Sequence, residues 1–423
     1  MDYRFETLDL ADDSDRARAR RSAWLQAVMH GFHEGRVEDE FEKLWVRDSL
    51  ADDATCVGAW LPEGAFGAGD MPVATTSWFD KALNAGRDLV PLRMITDVTT
   101  SPAHRRRGLV RRMIEDCLDD AVAAGVPLAA LTVSEATIYG RWGFGAATFA
   151  QHVELDTGPR FGLREVADPG RVELIDPRES WAVISPLLER FHRRTRGSVG
   201  TPAFYETHFT GGWSFPDGGP DKKLRGAVHL SADETVDGVV LFRPDGRDDA
   251  GHRKLKLQLL LAEDATVTLA LWGFLGGIDL VRSVSWFAAA PDDPLRWALR
   301  DINALKLTEN AEFLWVRVLD VPAALAARPW SGDDTLVLEV DDAQGHAAGR
   351  WQVTTRDGVA EVTPTDTDAD LRLDAETLGS LYLAGVGIGT LHAAGRIRGE
   401  RSAADRFAAM ADLALPPYNI LGF

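Results

Sequence analysis

The chain has 423 residues, 45% of them hydrophobic and 13 of them tryptophan, enough to fill two or three cores of about 150 residues each. No uncharged apolar run approaches the roughly 20 residues that cross a bilayer, and the opening MDYRFETLDLADDSDRARARR is too charged for a secretory signal. With 46 Lys+Arg against 65 Asp+Glu the net charge is −19, which disfavours nucleic acid and anionic membranes and favours cationic partners.

The two cysteines, Cys56 and Cys117, fit a reducing compartment and have no metal-binding spacing, so a cytoplasmic location is expected. In chain order, residues 1–155 alternate helix and strand. A helix is expected over 22–32, a strand over 54–60, a Gly/Pro-rich loop over 62–72 and a strand over 92–100. A helix over 105–124 follows, because Leu109, Val110, Met113, Ile114, Cys117, Leu118, Ala121 and Val122 recur in pairs every four positions and mark one buried face. Gly125 and Pro127 end it, and 128–133 reads as a short buried strand. Strand, helix, strand is a right-handed crossover in an α/β layer.

Residues 156–298 repeat the theme: a helix over 181–194, an alternating strand KLKLQLLL over 254–261, and a helix capped by Asp264 running through Leu275. The loops SFPDGGPDKK, from Ser214, and PDGRDDAG, from Pro244, read as exposed. No glycine-and-arginine turn opens the helix after Leu261. Residues 299–423 begin with short strands, at 313–318, 335–340, 350–354, 361–363 and 371–373, and end in helices at 375–383 and 403–413, an α+β arrangement.

The densest chemical signal is Arg105-Arg106-Arg107-Gly108-Leu109-Val110-Arg111-Arg112, five arginines in eight residues of an acidic protein, placed between a strand and a helix. A helix N-terminus offers unpaired N–H groups and partial positive charge, which suits phosphates, and Gly108 lets the backbone approach closely. The competing reading is a solvated helix start paired with Glu115, Asp116, Asp119 and Asp120.

The run TDVTTSPAHRRRGLVRRM is similar to the coenzyme A loop of the GNAT acyltransferases: Arg105 and Gly108 match the family pattern, and Val110 replaces its usual small residue. The following SEATIYGRWGFG, residues 134–145, together with an aromatic last residue, resembles the narrower enhanced intracellular survival (Eis) family. That resemblance implies two tandem GNAT domains, 1–155 and 156–298, the second without a coenzyme A site. A sterol-carrier-protein-like domain, 299–423, would follow. It also implies acetyl-CoA as the acetyl donor without a metal, acceptors that are amines of aminoglycosides or other polycations, and a homohexamer.

Carried onto this chain, the resemblance makes Tyr139 the acid and the α-carboxylate of Phe423 the base. Val98 and Thr100 become backbone contacts to the cofactor, Arg105, Arg106 and Gly108 its phosphate contacts, and Phe32 and Glu34 the aromatic wall and acidic contact for the acceptor. The apolar end PPYNILGF suits a tail that reaches inward. His30, His33 and Glu34 offer no clear third metal ligand, and neither a Gly-x-Ser-x-Gly nor a Walker loop is present. A different class of function fits the same layout: a sensor that binds acyl-CoA or a lipid without transfer.

Overall fold

The computed structural model describes residues 2–67, 71–133, 136–214 and 218–423. The chain enters a first sheet with β1 (Arg4–Thr7), then crosses helices α1 (Asp15–Gly31) and α2 (Asp39–Ala51). Four strands follow: β2 (Thr55–Trp60), β3 (Ala74–Asn84), β4 (Leu89–Thr100) and, after helix α3 (Leu109–Ala123), β5 (Leu128–Thr132). A short helix α4 (Ala136–Tyr139) leads to β6 (Gly145–Ala146). Ser14 starts α1 by accepting the Ala17 amide at 3.2 Å, which satisfies an N–H that the first turn leaves unpaired.

The arginine-bearing helix is shorter than expected. It begins at Leu109, because Arg106 (φ 62°) and Gly108 (φ 78°) take left-handed backbone that a continuing helix excludes. Its buried face is Leu109, Met113, Ile114, Cys117, Leu118 and Ala121, whereas Val110 is half-buried and Val122 exposed. Strand β3 and helix α2 were not foreseen.

The second sheet takes β7 (Phe149–Asp156), β8 (Arg171–Ile175), β9 (Arg225–Leu230), β10 (Val236–Arg247), β11 (Arg253–Ala262), β12 (Val281–Ala289) and β13 (Leu305–Glu312), in the order β13-β7-β12-β11-β10-β9-β8. Its helices are α5 (Trp181–Arg194), α6 (Phe204–Phe209), α7 (Ala265–Gly276) and the single turn α8 (Leu295–Ala298).

After β13 the chain returns: β14 (Leu314–Val318) inserts into the first sheet, whose order is β1-β2-β3-β4-β5-β14-β6. The strand expected to open the third unit at 313–318 therefore belongs to the first sheet. All five of its residues are buried, which an edge strand cannot achieve and a place between two strands can. Likewise β7, in the span assigned to the first unit, pairs with β12 and β13 of the second sheet. The first and second units thus exchange strands, and a division of the chain at 155 and 298 does not follow the sheets.

The third unit begins with helix α9 (Val321–Ala327) and has a five-stranded sheet ordered β17-β16-β15-β18-β19: β15 (Thr335–Asp341), β16 (Gly349–Arg356), β17 (Val359–Pro364), β18 (Leu371–Asp374) and β19 (Arg398–Gly399). Helix α10 (Ala375–Tyr382) follows β18. The unit is tied to the first sheet by a buried ion pair, Arg317 to Asp342 at 2.6 Å. Among the described residues no helix is long and apolar enough to cross a membrane.

In the second unit the buried imidazole of His229 lies between Asp237 (2.6 Å) and Asp168 (3.1 Å). Burial disfavours its charge, but the two carboxylates outweigh burial and hold its pKa above the ordinary 6.5. A raised folded-state pKa adds stability that is complete below the unfolded value and fades as pH climbs through the folded one. Thermal midpoints of the parent chain and His229→Asn should therefore differ more at about pH 6 than at about pH 9. An equal gap at both would show that the imidazole stays neutral.

Candidate active site

The site grows from a mismatch between two strands. Thr75 on β3 faces Thr99 on β4, but Ser77 faces Thr96, so β4 carries one extra residue, a bulge at Asp97 with φ 53°. The bulge is pinned by the Thr75 hydroxyl, which donates to the Asp97 carbonyl at 2.7 Å and lies 2.6 Å from the Thr99 hydroxyl. On its other side β4 pairs with β5 in parallel only from Leu92 to Met94, opposite Leu128 to Ala130. Beyond Met94 the strands part, and among the described residues no strand pairs with the β5-facing edge of β4 that includes Val98 and Thr100. An opened parallel pair leaves a wedge with unpaired peptide groups on its wall, able to hold an extended ligand by main-chain hydrogen bonds.

The arginine turn lies at the mouth of this wedge. The Ser101 amide donates to the Val73 carbonyl at 2.8 Å, one turn of 3₁₀ helix spans Pro102–His104, and Tyr3 hydrogen-bonds His104 at 2.9 Å. Gly108 then caps α3 without any side-chain cap, and no atom lies within 4 Å of where its Cβ would stand. Among the described residues the Leu109, Val110 and Arg111 amides that open α3 have no hydrogen-bond acceptor. Among the described residues Arg105, Arg106 and Arg107 enter no ion pair, and all three are exposed. Among the described residues only Arg112 of this run pairs locally, with Asp116 at 3.5 Å, so the acids that follow leave the helix start unneutralised.

The second unit offers an instructive contrast. There β11 runs parallel to β12 as β4 does to β5, but the connecting helix α7 is capped by Asp264, which accepts the Val267 amide at 3.0 Å. Glu263 beside it binds Arg190 and Arg194. Carboxylates sit where a phosphate would have to go.

Tyr139 ends α4, buried, with its ring against Trp142 (6.0 Å) and Phe144 (6.3 Å). The two residues that open its motif, Ser134 and Glu135, lie outside the described residues. Phe423 reaches the first unit from the end of the chain. The Thr132 hydroxyl, at the end of β5, donates to the Phe423 carboxylate oxygen at 2.7 Å, and the Phe423 ring meets Phe79 edge-on at 6.4 Å. The approach is held by groups that sequence reasoning missed. Tyr205 donates to the Gly422 carbonyl at 2.9 Å, Asn419 to the Leu421 carbonyl at 2.8 Å, and Tyr418 to the Ala288 carbonyl. No local motif marks Thr132, Tyr205 or Asn419, because each acts on chain that is distant in sequence or irregular.

Phe32 and Glu34 follow the last turn of α1. A Cβ on Gly31 would stand 2.5 Å from the Thr99 Cβ, so that turn lies directly on β4, and Phe32 (48% exposed) and the exposed Glu34 emerge from it.

The glycines of the Tyr139 segment make room for the third unit. A Cβ at Gly140 would stand 2.6 Å from the Glu376 carboxylate, one at Gly143 2.8 Å from the Ala375 Cβ, and one at Gly145 2.5 Å from the Ser380 amide of α10. The same unit thus packs on the Tyr139 turn and sends its tail to Thr132. A separate hollow of about 630 Å³, lined by Leu174, Ile175, Phe242, Phe274 and Ile278, lies in the second unit.

Comparison with known proteins matches this layout. Acetyltransferase (GNAT) domain models match residues 18–147 and 208–318, and a sterol carrier protein domain model matches 321–419. An uncharacterized N-acetyltransferase of Streptomyces avermitilis is 35% identical over 92% of both chains. The N-acetyltransferase Eis of Mycobacterium tuberculosis is 32% identical over 81% of this chain and 83% of its own. The crystal structure of Eis1 from Mycobacterium abscessus superposes with a TM-score of 0.80 at 25% identity, covering all of both chains. A strand opening beside an uncapped, arginine-rich helix start, followed by a GNAT-like partner unit and a sterol-carrier unit, defines an N-acetyltransferase of the GNAT class. Within that class, the chain belongs to the Eis family.

Because Gly145 abuts α10 backbone, Gly145→Ala should destabilise the chain by about 1–3 kcal/mol, the cost of overpacking a closed interface. The denaturant midpoint reads it, and an unchanged midpoint would mean that the third unit does not dock there in solution.

Proposed function

We propose that this N-acetyltransferase moves the acetyl group of acetyl-CoA onto amines of a cationic small molecule, an aminoglycoside or a polyamine, at one or more positions. The observation that carries the reading is the run of exposed arginines, without ion pairs among the described residues, at the uncapped start of α3 beside the gap between β4 and β5. Arg105 and Arg106 grip the diphosphate with charge-assisted hydrogen bonds and Gly108 lets it reach the helix amides. The backbone of Val98 and Thr100 holds the acyl-bearing arm and steadies the thioester oxygen.

An ammonium has a pKa near 10 and must lose a proton before it can attack. The Phe423 carboxylate takes that proton, directly or through water. The amine nitrogen then bonds to the acetyl carbon, the carbon–sulfur bond breaks, Tyr139 protonates the leaving thiolate, and the second proton shed by the nitrogen as it becomes an amide restores the tyrosine through water. A tyrosine hydroxyl is protonated at neutral pH and so can donate. Phe32 and Glu34 border the acceptor's entrance. The second unit, with Asp264 over its helix start, carries no coenzyme A. Assembly as a homohexamer in the cytoplasm is proposed on family resemblance alone.

Purified protein should release thiol from acetyl-CoA when given tobramycin, kanamycin or spermidine. No release above background with any of them would remove the transfer reading in favour of an acyl-CoA sensor. Arg105→Ala should weaken acetyl-CoA binding roughly tenfold or more, as loss of a charge-assisted contact does, and unchanged affinity in calorimetry would overturn the phosphate assignment.

A further inference from the structure

Which face of the first sheet receives the acceptor can be read from its register. Ser77 faces Thr96, Phe79 faces Met94, and Met94 faces Ala130. Alternation along β5 then puts Thr132 on the same face as Ala130, Phe79 and Ser77. Phe423 touches Phe79 and Thr132, so its carboxylate belongs to this face. The opposite face is closed by α3, with Trp78, Ile95, Ile114, Cys117 and Leu131 in one cluster.

Asp97 joins the Phe423 face. At the bulge its side chain turns to Ser77, whose hydroxyl donates to Oδ2 at 2.6 Å. Burial pushes its carboxyl above the ordinary carboxylate range, against the smaller opposing effect of that hydrogen bond. Among the described residues no Lys, Arg or His lies within ion-pair reach of it. The other acids close to this sheet are served: Asp80 and Asp120 share Arg93, and Asp52 takes Lys81. An unmatched, half-buried carboxylate costs stability unless something positive compensates it.

Backbone conformation alone would explain a small polar residue at φ 53°, since Asp and Asn both tolerate the left-handed region. It does not explain a charge, because asparagine would hold the bulge and keep the Ser77 contact. We propose that Asp97 binds a second ammonium of the acceptor while the reacting amine sits at the Phe423 carboxylate, which makes Asp97 the residue that selects polyamines over monoamines. The inference rests on the amine-transfer reading above and adds a specificity determinant to it.

Asp97→Asn tests this, because it preserves shape and backbone preference and removes only charge. For spermidine, kcat/KM should fall about tenfold or more through KM. For butylamine, and for the Kd of acetyl-CoA, the variant should stay within about twofold of the parent. Equal effects on spermidine and butylamine, or none on either, would overturn the proposal. Calorimetry of spermidine with the coenzyme A complex keeps the test independent of turnover: the variant should bind about tenfold more weakly, and equal binding would overturn the assignment. If neither protein acetylates any amine while the binding difference persists, the transfer reading fails and the Asp97 site stands.

Discussion

The site exists because two parallel strands stop being neighbours. β4 and β5 share a ladder from Leu92 to Met94 and part beyond it, and β4 then takes an extra residue at Asp97. A regular sheet would pair these peptide groups and leave no room for a ligand between the strands. The bulge is paid for locally by the Thr75 and Ser77 hydroxyls, which satisfy the carbonyl and carboxylate that the irregular turn exposes. The arginine turn lies directly downstream of that departure, so an anion held at the start of α3 is aligned with the gap.

The third unit completes what the first begins. Helix α10 packs against the Gly140–Gly145 segment, and the tail of the same unit delivers Phe423 to Thr132. Tyr139 and the last carboxylate, the two groups assigned to proton transfer, therefore depend on one docking event. The buried pair of Arg317 with Asp342 fixes that docking against the first sheet. A charge pair withdrawn from water in this way contributes to orientation more than to net stability.

Local signals were legible in the sequence. The apolar pairs of α3, the helix at Trp181–Arg194, the Asp264 cap and the arginine turn each follow from spacing within a few residues, and the structure has them. Helix α3 starts four residues later than the pattern suggests because arginines are good helix formers, whereas Arg106 and Gly108 take left-handed backbone that no helix continues through. Strand β3 escaped notice since TTSWFDKALN is buried on both faces over much of its length and so does not alternate. The placement of β14, the bulge at Asp97 and the hydrogen bond from Thr132 are products of pairing between distant segments, which periodicity cannot register. The roles of Tyr139 and Phe423 rest on family likeness; composition adds only that the apolar end PPYNILGF suits a tail turned inward.

In the proposed mechanism the carboxylate held by Thr132 accepts the amine's proton. Extending the chain by one alanine beyond Phe423 keeps the ring on Phe79 but moves the carboxylate off Thr132. Steady-state turnover with spermidine, measured alongside acetyl-CoA affinity, should then fall by about 100-fold or more with binding unchanged, the scale of a lost general base. Turnover within about twofold of the parent chain would contradict the claim.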